Sequence, residues 1–299
     1  MKDIKDKLVL ITGGARGLGL GMAEAFAAAG ARLILADVDR AALDASCERL
    51  AAQGAAVEGI DLDVTSLDSW QAAADHVAQR HGGLDILCNN AGVGAGRSAQ
   101  DGPTGFADVS LDLWHLIQNV NVNGVFYGIR AFVPSMLARG KGGHVVNTGS
   151  MASFLAPKGM AAYCSSKFAV LAMSEALAAE LVDTGIGVSV LCPGGVRSEF
   201  VETSARRSAE AAGHDFTPPK QPFKMLARSA GDRVVEAVRN NEFYIFTHPE
   251  YEPLVQERLG SILAAFGPSA QAGYTDTPQM LAGSENPLYA RQAAQRAAR

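Results

Sequence analysis

The chain has 299 residues, 48% of them apolar, with a formal net charge of −5 and a pI near 5.7. An acidic chain lacks the basic field that nucleic acid or an anionic membrane surface requires, so neither partner is expected. The apolar runs are too short to cross a bilayer, and the apolar fraction is sufficient for one sizeable core.

Short apolar runs alternate with helical segments along the chain. The predicted strands are Leu8–Ile11, Arg32–Ala36, Val57–Ile60, Leu84–Cys88, His144–Asn147, Gly187–Cys192 and Phe243–Phe246. The predicted helices are Ala23–Ala29, Arg40–Ala51, Ser66–Arg80, Leu111–Met136 and Met160–Glu180. Runs that are apolar at consecutive positions suit strands covered on both faces, and right-handed crossovers then give a doubly wound sheet. The sequence therefore predicts a single α/β domain with a seven-stranded parallel sheet flanked by helices.

Two long loops interrupt this alternation. Gly92–Ser110 is rich in glycine, and Glu199–Lys224 is polar and ends in three prolines. Loops of this length in a compact domain are usually functional, so both are expected to close over a site, with the substrate lid at about residues 199–225. The domain is predicted to span residues 1–266. Residues 267–299 are expected to form a peripheral tail or an arm that packs on a neighbouring subunit.

A glycine-rich turn, Thr12–Gly19, follows the first strand and opens the first helix. Glycines there let the backbone approach a pyrophosphate, and the helix N-terminus supplies free N–H groups. Asp37 lies eighteen residues after the turn, where a carboxylate can accept both ribose hydroxyls of NAD and repels the extra phosphate of NADP. Arg16, inside the turn, could instead bind that phosphate. The repulsion is the stronger effect, so NAD is the predicted cofactor and NADP the alternative.

Tyr163 is followed four positions later by Lys167, and a helix would place both side chains on one face. An ammonium beside a phenol lowers its pKa from about 10, which would suit a general base. The alternative is an ordinary surface contact between neighbouring helical turns. Ser150, thirteen residues before the tyrosine, supplies a hydroxyl that favours the catalytic interpretation.

From about Lys7 to Phe246 the chain resembles the short-chain dehydrogenase/reductase family of the classical type. The resemblance rests on the glycine turn, on Asn89–Gly92, on Asn121, and on Ser150 with the Tyr-x-x-x-Lys pair. It also includes Asp63–Val64 and Pro193–Ser198. Two departures are Ser198, where threonine is usual, and Gly149, where a second serine often stands.

The resemblance implies a Rossmann domain that interconverts a secondary alcohol and a ketone with NAD(P), and a homotetramer or homodimer. The catalytic residues it implies are Asn121, Ser150, Tyr163 and Lys167. Tyr163 would exchange the alcohol proton, Ser150 would bind the substrate oxygen, Lys167 would hold the nicotinamide ribose, and Asn121 would place a relay water. The predicted cofactor-binding residues are Thr12, Gly13, Arg16, Gly17, Leu18, Gly19, Asp37, Asp63, Val64, Asn90, Ala91, Gly92, Tyr163, Lys167, Pro193, Gly194, Val196 and Ser198.

The substrate is expected to be a neutral small molecule, apolar or aromatic, because few charges occur among the residues predicted to contact it. Those residues are Phe106, Met151, Phe154, Leu155, Phe200, Phe216, Phe223 and Met225. The chain is also similar, less specifically, to the family branch that oxidises benzylic alcohols of lignin-derived aryl ethers, so a benzylic alcohol is the first expectation. The alternatives are a 3-hydroxyacyl substrate, a hydroxysteroid or a sugar. A rival of another class is a non-catalytic module that senses NAD.

The cysteines and histidines indicate no metal site. Four cysteines show no Cys-x-x-Cys spacing and are expected to be free thiols of a reducing compartment. The N-terminus shows no secretory signal, so a cytoplasmic protein is expected. His76, His81 and His144 fall on helix or strand edges without clustered carboxylates and are interpreted as surface or structural residues.

Overall fold

Seven parallel strands form the central sheet of the computed structural model. The structure describes residues 1–94, 105–198, 200, 202–204, 206, 223–282 and 284–297. Residues 295–297 are described by their backbone alone. The structure gives the bounds of nine strands, of which all but β7 and β8 belong to this sheet. They are β1 (Leu8–Thr12), β2 (Arg32–Asp37), β3 (Val57–Asp61), β4 (Ile86–Asn89), β5 (Gly143–Thr148), β6 (Ile186–Cys192), β7 (Val196–Arg197), β8 (Met225–Leu226) and β9 (Tyr244–Phe246). The sheet order is β3-β2-β1-β4-β5-β6-β9, and the pairings are parallel throughout. The predicted fold is confirmed, and β7 and β8 add a short parallel pair that the sequence did not predict.

The structure gives the bounds of ten α-helices, and the described residues 200, 202–204 and 206 are also helical. The ten helices are α1 (Gly17–Ala28), α2 (Arg40–Ala52), α3 (Leu67–His81), α4 (Leu111–Gln118), α5 (Gly124–Arg139), α6 (Ala161–Glu180), α7 (Ala227–Asn240), α8 (Glu252–Ala264), α9 (Pro278–Ala282) and α10 (Pro287–Ala297). The single helix predicted over Leu111–Met136 is divided by a π-helical turn at Asn119–Asn123. In the part of the chain that the structure describes, none of these helices has the length and apolar character needed to span a membrane.

The sheet divides the apolar core into two layers, because successive side chains of a strand point to opposite faces. In β1, Leu10 belongs to the cluster that contains Trp70 of α3, whereas Ile11 belongs to the cluster that contains Phe26 of α1. All five residues of β1 are buried. Burial on both faces explains why the central strands read as continuous apolar runs.

The chain order reverses between β1 and β4, and this crevice positions the site. In a doubly wound sheet, ligands bind beyond the carboxyl ends of the strands at this reversal. The register aligns those ends: Ile11 pairs with Cys88, Asn89 with Asn147, and Thr148 with Leu191. The segments that follow β1, β4, β5 and β6 therefore meet at one edge of the sheet.

Part of the C-terminal tail packs on α6 of the same chain. Leu288 is buried, Asn286 Nδ2 donates to the Glu175 carbonyl over 3.3 Å, and the Tyr289 hydroxyl lies 3.0 Å from Glu175 Oε2. The tail thus contacts α6 of its own subunit. The division at residue 266 remains a prediction.

Candidate active site

The turn between β1 and α1 has the shape that a phosphate group requires. Gly13 and Gly17 adopt left-handed backbone angles, with φ of +62° and +53°. A Cβ placed on Gly19 would lie 2.1 Å from the Gly13 carbonyl oxygen, so a side chain has no space there. No side chain caps α1 at its N-terminus. The first N–H groups of this helix are therefore positioned to bind an anion.

The end of β4 is fixed to this turn by hydrogen bonds. Thr12 Oγ1 accepts from the N–H groups of Asn90 and Ala91 over 2.9 and 3.0 Å. In return, Asn90 Nδ2 donates to the Thr12 carbonyl over 2.9 Å. These contacts hold the two crevice-forming segments at a set distance from each other.

Asp37 lies at the end of β2 with both carboxylate oxygens engaged. Oδ2 accepts from the Ala15 N–H over 3.2 Å, and Oδ1 accepts from the Asp39 N–H over 3.1 Å. The Arg16 guanidinium pairs with the Asp39 carboxylate, and both side chains are partly exposed. The hydrogen bond from the Ala42 N–H, aided by Arg16, holds the pKa of Asp39 below its usual value. Arg16 is thus held beside a second carboxylate in this half of the cleft.

Ser150, Tyr163 and Lys167 come together at the end of β5. Ser150 Oγ donates to the Pro193 carbonyl oxygen over 3.5 Å, and the serine is near enough to Tyr163 to lower its pKa in part. Lys167 Nζ lies 5.6 Å from the centre of the Tyr163 ring and donates to the Thr148 carbonyl over 2.8 Å. Tyr163 and Lys167 are both buried, which excludes the alternative of a surface helix contact.

Burial favours the neutral form of both titrating groups. It raises the pKa of Tyr163 to about 12, and the neighbouring Ser150 side chain offsets only part of this increase. It lowers the pKa of Lys167 to about 8. The predicted lowering of the tyrosine pKa is therefore not found in the protein alone, because removal from water is the largest influence on it.

Asn121 is fully buried in the π-helical turn. Its Oδ1 accepts from the Val93 N–H over 2.8 Å, and its Nδ2 donates to the Val93 carbonyl over 2.9 Å and to Ser166 Oγ over 3.0 Å. Gly92 brings this amide close to the lysine, since a Cβ placed there would lie 3.3 Å from Asn121 Oδ1 and 3.6 Å from Lys167 Nζ. The side chain thus fixes the loop after β4 beside the lysine.

The loop after β6 is held by a residue that the sequence analysis did not identify. His248 Nδ1 accepts from the Gly194 N–H over 3.0 Å, and its Nε2 lies 3.2 Å from the Gly195 carbonyl oxygen. An Nε2–H tautomer satisfies both contacts. His248 is 8% exposed. The contact joins residues more than fifty positions apart, and no local spacing in the sequence indicates it.

These segments enclose one cleft of about 960 Å³. All of the predicted site residues line it except Thr12 and Asn121, which lie behind its wall. Asp63 uses its Oδ1 within its own turn, where it accepts from the Thr65 N–H and hydroxyl over 2.9 and 2.7 Å. The cofactor-side prediction thus corresponds to a single continuous surface.

The apolar end of the cleft matches the prediction in part. Met151, Leu155, Phe200 and Phe223 line it. Three of the predicted residues do not line the cleft formed by the described residues: Phe106 and Phe154 pack on other aromatic rings, and Met225 belongs to β8. Phe216, with most of both predicted lids (residues 95–104, 199, 201, 205 and 207–222), lies outside the described residues. Lining residues that were missed include Pro157, Met160, Thr203, Ser204 and Tyr251.

The remaining titratable groups correct one interpretation. His144 is buried, with Nε2 2.8 Å from Ser189 Oγ, and burial lowers its pKa to about 3. His76 and His81 do have a carboxylate beside them, because Glu58 of β3 lies across from α3. All four cysteines are free thiols.

Comparison with known proteins gives the site its context. The family model described as short chain dehydrogenase matches residues 7–209. The "1-deoxy-11-beta-hydroxypentalenate dehydrogenase" of Streptomyces exfoliatus is 35% identical over 261 residues, which cover 87% of this chain and 89% of that protein. The "C alpha-dehydrogenase" of Sphingobium sp. strain SYK-6 is 30% identical over 278 residues, covering 90% of this chain and 89% of that protein.

Two solved structures have the same fold with a nicotinamide cofactor bound. A short-chain dehydrogenase/reductase from Burkholderia phymatum in complex with NAD has a TM-score of 0.80 at 33% identity, covering 92% of this chain and all of that one. A short-chain dehydrogenase from Sphingobium yanoikuyae in complex with NADPH has a TM-score of 0.69 at 27% identity, covering 90% of this chain and all of that one.

Proposed function

The chain belongs to the short-chain dehydrogenase family, and on that premise we propose that Tyr163, Ser150 and Lys167 catalyse the interconversion of a secondary alcohol and a ketone. The protein is an oxidoreductase that uses NAD(P). The observation that supports this proposal best is that the buried Tyr163 and Lys167 side chains meet Ser150 in the wall of the cleft, with Lys167 Nζ 5.6 Å from the centre of the tyrosine ring.

The residues present fit a dinucleotide. Only glycine leaves room at position 19, the N-terminus of α1 has no side-chain cap, and the cleft runs from Asp37 past the glycine turn to Tyr163. The proposed holding residues are Asp37 for the adenosine ribose, the glycine turn for the pyrophosphate, and Lys167 for the nicotinamide ribose. When bound, NAD(P) accepts the hydride during alcohol oxidation and returns it during ketone reduction.

The protein's own residues handle the proton. In the oxidation direction, Ser150 binds the substrate oxygen and the Tyr163 phenolate takes the hydroxyl proton, while the carbon–hydrogen bond breaks and the carbonyl forms. In reduction, the Tyr163 phenol returns that proton to the oxygen. The Lys167 ammonium favours the phenolate. Because the Asn121 amide is already bonded to Val93 and Ser166, its main-chain carbonyl in the widened turn is the group proposed to hold a relay water.

A Tyr163→Phe variant tests this proposal directly. It should abolish turnover and leave cofactor binding within about twofold of the parent protein, because the hydroxyl is lost and the ring is kept. Turnover is measured by nicotinamide absorbance and binding by NADH fluorescence. Tyr274→Phe, at an exposed tyrosine outside the cleft, is the matched control. If the variant keeps its turnover, Tyr163 is not the proton donor. If even the parent protein binds cofactor and turns over no alcohol, the NAD-sensing alternative is favoured.

We propose a preference for NAD over NADP. The adenosine end of the cleft carries Asp37, Asp39 and Asp63, and the Arg16 guanidinium is paired with Asp39. A ribose phosphate would meet net negative charge there, and like charges brought together in a binding site cost several kcal/mol. An Asp37→Asn variant should raise kcat/KM for NADP relative to NAD by at least about tenfold, whereas Asp75→Asn on α3 should not change the ratio. A parent protein that prefers NADP would show that Arg16 dominates.

The substrate that best fits the cleft is a neutral alcohol with an apolar or aromatic group, and a benzylic alcohol is our first choice. Phe200 lies with its ring centre 6.3 Å from that of Tyr163, and Met151, Leu155 and Phe223 extend the apolar wall. We propose that residues 199–225 form the lid, because Phe200, Thr203 and Ser204 lie over this end. The C alpha-dehydrogenase relative supports the benzylic choice.

Hydroxysteroids and 3-hydroxyacyl substrates are the second candidate. The relative named for a hydroxypentalenate shows that a chain of this likeness can act on another hydroxylated compound. A panel of 1-arylalkanols, hydroxysteroids and 3-hydroxyacyl thioesters, each assayed with NAD and with NADP, distinguishes the two. Turnover limited to the thioesters or steroids would overturn the benzylic choice and leave the catalytic proposal intact.

We propose that the protein assembles as a homotetramer or homodimer. Leu111 of α4 and Phe126 and Leu137 of α5 expose large apolar side chains on one continuous helical segment. Light scattering that shows only monomer at micromolar concentration would overturn this. The four free thiols support a reducing compartment, and we propose the cytoplasm.

A further inference from the structure

Three potential metal ligands that do not line the cleft converge between β3 and α3. Glu58 lies in β3, the edge strand, and His76 and His81 lie on the last two turns of α3. His76 Nε2 is 2.9 Å and His81 Nε2 is 2.7 Å from the same atom, Glu58 Oε1. The three ligand atoms all lie within 4.8 Å of one another. We propose that Glu58, His76 and His81 bind a divalent transition-metal ion, with Zn²⁺ as the best match.

The chemical types of the three ligand atoms determine which metal is expected. Two imidazole nitrogens and one carboxylate oxygen form a set that proteins use for Zn²⁺, with water at the fourth position. Mg²⁺ and Ca²⁺ instead require oxygen ligands, so neither should compete at this site. The fold brings the donors together, since the glutamate comes from a strand and the histidines from the helix that covers it.

The two histidine–glutamate distances need only a small adjustment. Ligand bonds of about 2.0–2.1 Å in a tetrahedral site place neighbouring ligand atoms about 3.3 Å apart. The histidine nitrogens here are closer than that to Oε1, so each must move outward by roughly half an ångström. The Glu58, His76 and His81 side chains are 24%, 35% and 15% exposed, which leaves room for this movement and a path for the ion.

One cation lies beside the site. Arg80 Nε is 3.3 Å from Glu58 Oε2, the oxygen that the histidines do not contact. The Arg80 side chain is 67% exposed, far more than the three ligands, so it can turn toward solvent when a metal ion arrives. The competing explanation is that the histidines and Arg80 form only an ion-pair cluster around one carboxylate.

Metal binding here would tie β3 to the end of α3. After β3 ends at Asp61, the chain continues into Leu62–Val64, which line the part of the cleft proposed to bind the adenosine. A bound ion would therefore stabilise the folded chain next to the cofactor site, and no step of the proposed reaction depends on it.

Calorimetric titration of the full chain with ZnCl₂, after treatment with a chelator, tests the proposal. The parent protein should bind one equivalent that resists competition by MgCl₂, and its melting temperature should rise. Removal of an outer-shell partner of a metal ligand costs about 10–100-fold in affinity, so loss of a ligand in His81→Ala or Glu58→Gln should cost at least about tenfold. His115→Ala, at an exposed histidine on α4, is the matched control and should bind as the parent does.

The outcome is decided by binding rather than by turnover. Glu58→Gln preserves size and polarity, and circular dichroism establishes that each variant folds before it is titrated. Absence of saturable binding in the parent protein would overturn the proposal in favour of the ion-pair cluster. Equal binding by the parent, His81→Ala and Glu58→Gln would also overturn it, because the ion would then lie elsewhere.

Discussion

Replacement of Lys167 by methionine should stabilise the protein at neutral pH while it removes activity. Burial lowers the pKa of Lys167 from 10.5 to about 8. At about 1.4 kcal/mol per pKa unit, this fall corresponds to about 3 kcal/mol of folding free energy lost at pH 7, where the lysine is charged in both the folded and the unfolded chain. The lost hydrogen bond to the Thr148 carbonyl offsets about 1 kcal/mol. The expected gain is therefore about 2 kcal/mol.

The pH dependence separates this effect from improved packing. Between the folded pKa of about 8 and the unfolded value of 10.5 the unfolded chain binds more protons, so the stability of the parent protein rises through this range relative to that of the variant. The gain of Lys167→Met should fall nearly to zero by pH 10. Urea unfolding of both proteins at pH 7 and pH 10 measures it, with Lys141→Met at an exposed lysine as the control. No gain at pH 7, or an equal gain at both values, would refute the reasoning.

Three further predictions concern the cleft. Gly19→Ala should weaken NADH binding by at least about tenfold, because its Cβ would lie 2.1 Å from the Gly13 carbonyl oxygen; fluorescence titration measures this. His248→Ala should raise KM for the cofactor by about tenfold with a smaller change in kcat, because it leaves the N–H of Gly194 unbonded; steady-state kinetics measure both values. The kcat/KM for alcohol oxidation should rise from pH 7 to pH 9 while that for ketone reduction does not, because burial raises the pKa of Tyr163 and phenolate forms only as pH increases; pH profiles in both directions check this.

The Gly19 prediction has a matched control, and each of the three predictions has a contrary result. Gly260→Ala, on α8 with nothing within 4 Å of the added Cβ, should bind NADH normally, and equal binding by Gly19→Ala would remove the steric argument. For His248, an effect on kcat alone would mean that the histidine does not position the cofactor loop. An oxidation profile that is flat from pH 7 to pH 9 would show that Tyr163 is already a phenolate at pH 7.

Sequence patterns predicted the parts of the site that depend on neighbouring residues. A strand, a glycine turn and a helix lie consecutively in the chain, so the position of Thr12–Gly19 could be recognised directly. The same holds for Tyr163 and Lys167, which one helix places on a common face. His248 could not be predicted, since it reaches Gly194 only because β9 pairs with β6. The Glu58 cluster could not be predicted for the same reason, because its members lie on a strand and a helix that meet only in the folded chain.

The sequence analysis also predicted the wrong direction for the tyrosine pKa. Spacing indicates that a lysine is near, but the pKa depends on how much water the fold removes, and the sequence does not report burial. Lys167 and Tyr163 are both buried, so the protein destabilises the charged forms that the proposed chemistry needs. Lys167 Nζ donates to the Thr148 carbonyl, and the Ser150 side chain lowers the pKa of Tyr163 in part.

The π-helical turn explains how one long helix serves both the core and the cleft. A regular helix from Leu111 to Arg139 would rotate Asn121 away from its present neighbours, because a π turn adds one residue to the rotation of the chain. The extra residue allows the Asn121 amide to bond both the N–H and the carbonyl of Val93, which fixes the loop after β4. Gly92 in that loop leaves space for Lys167 Nζ next to the amide. The irregular turn thus replaces regular helical geometry at the point where the Asn121 amide must bond the loop after β4.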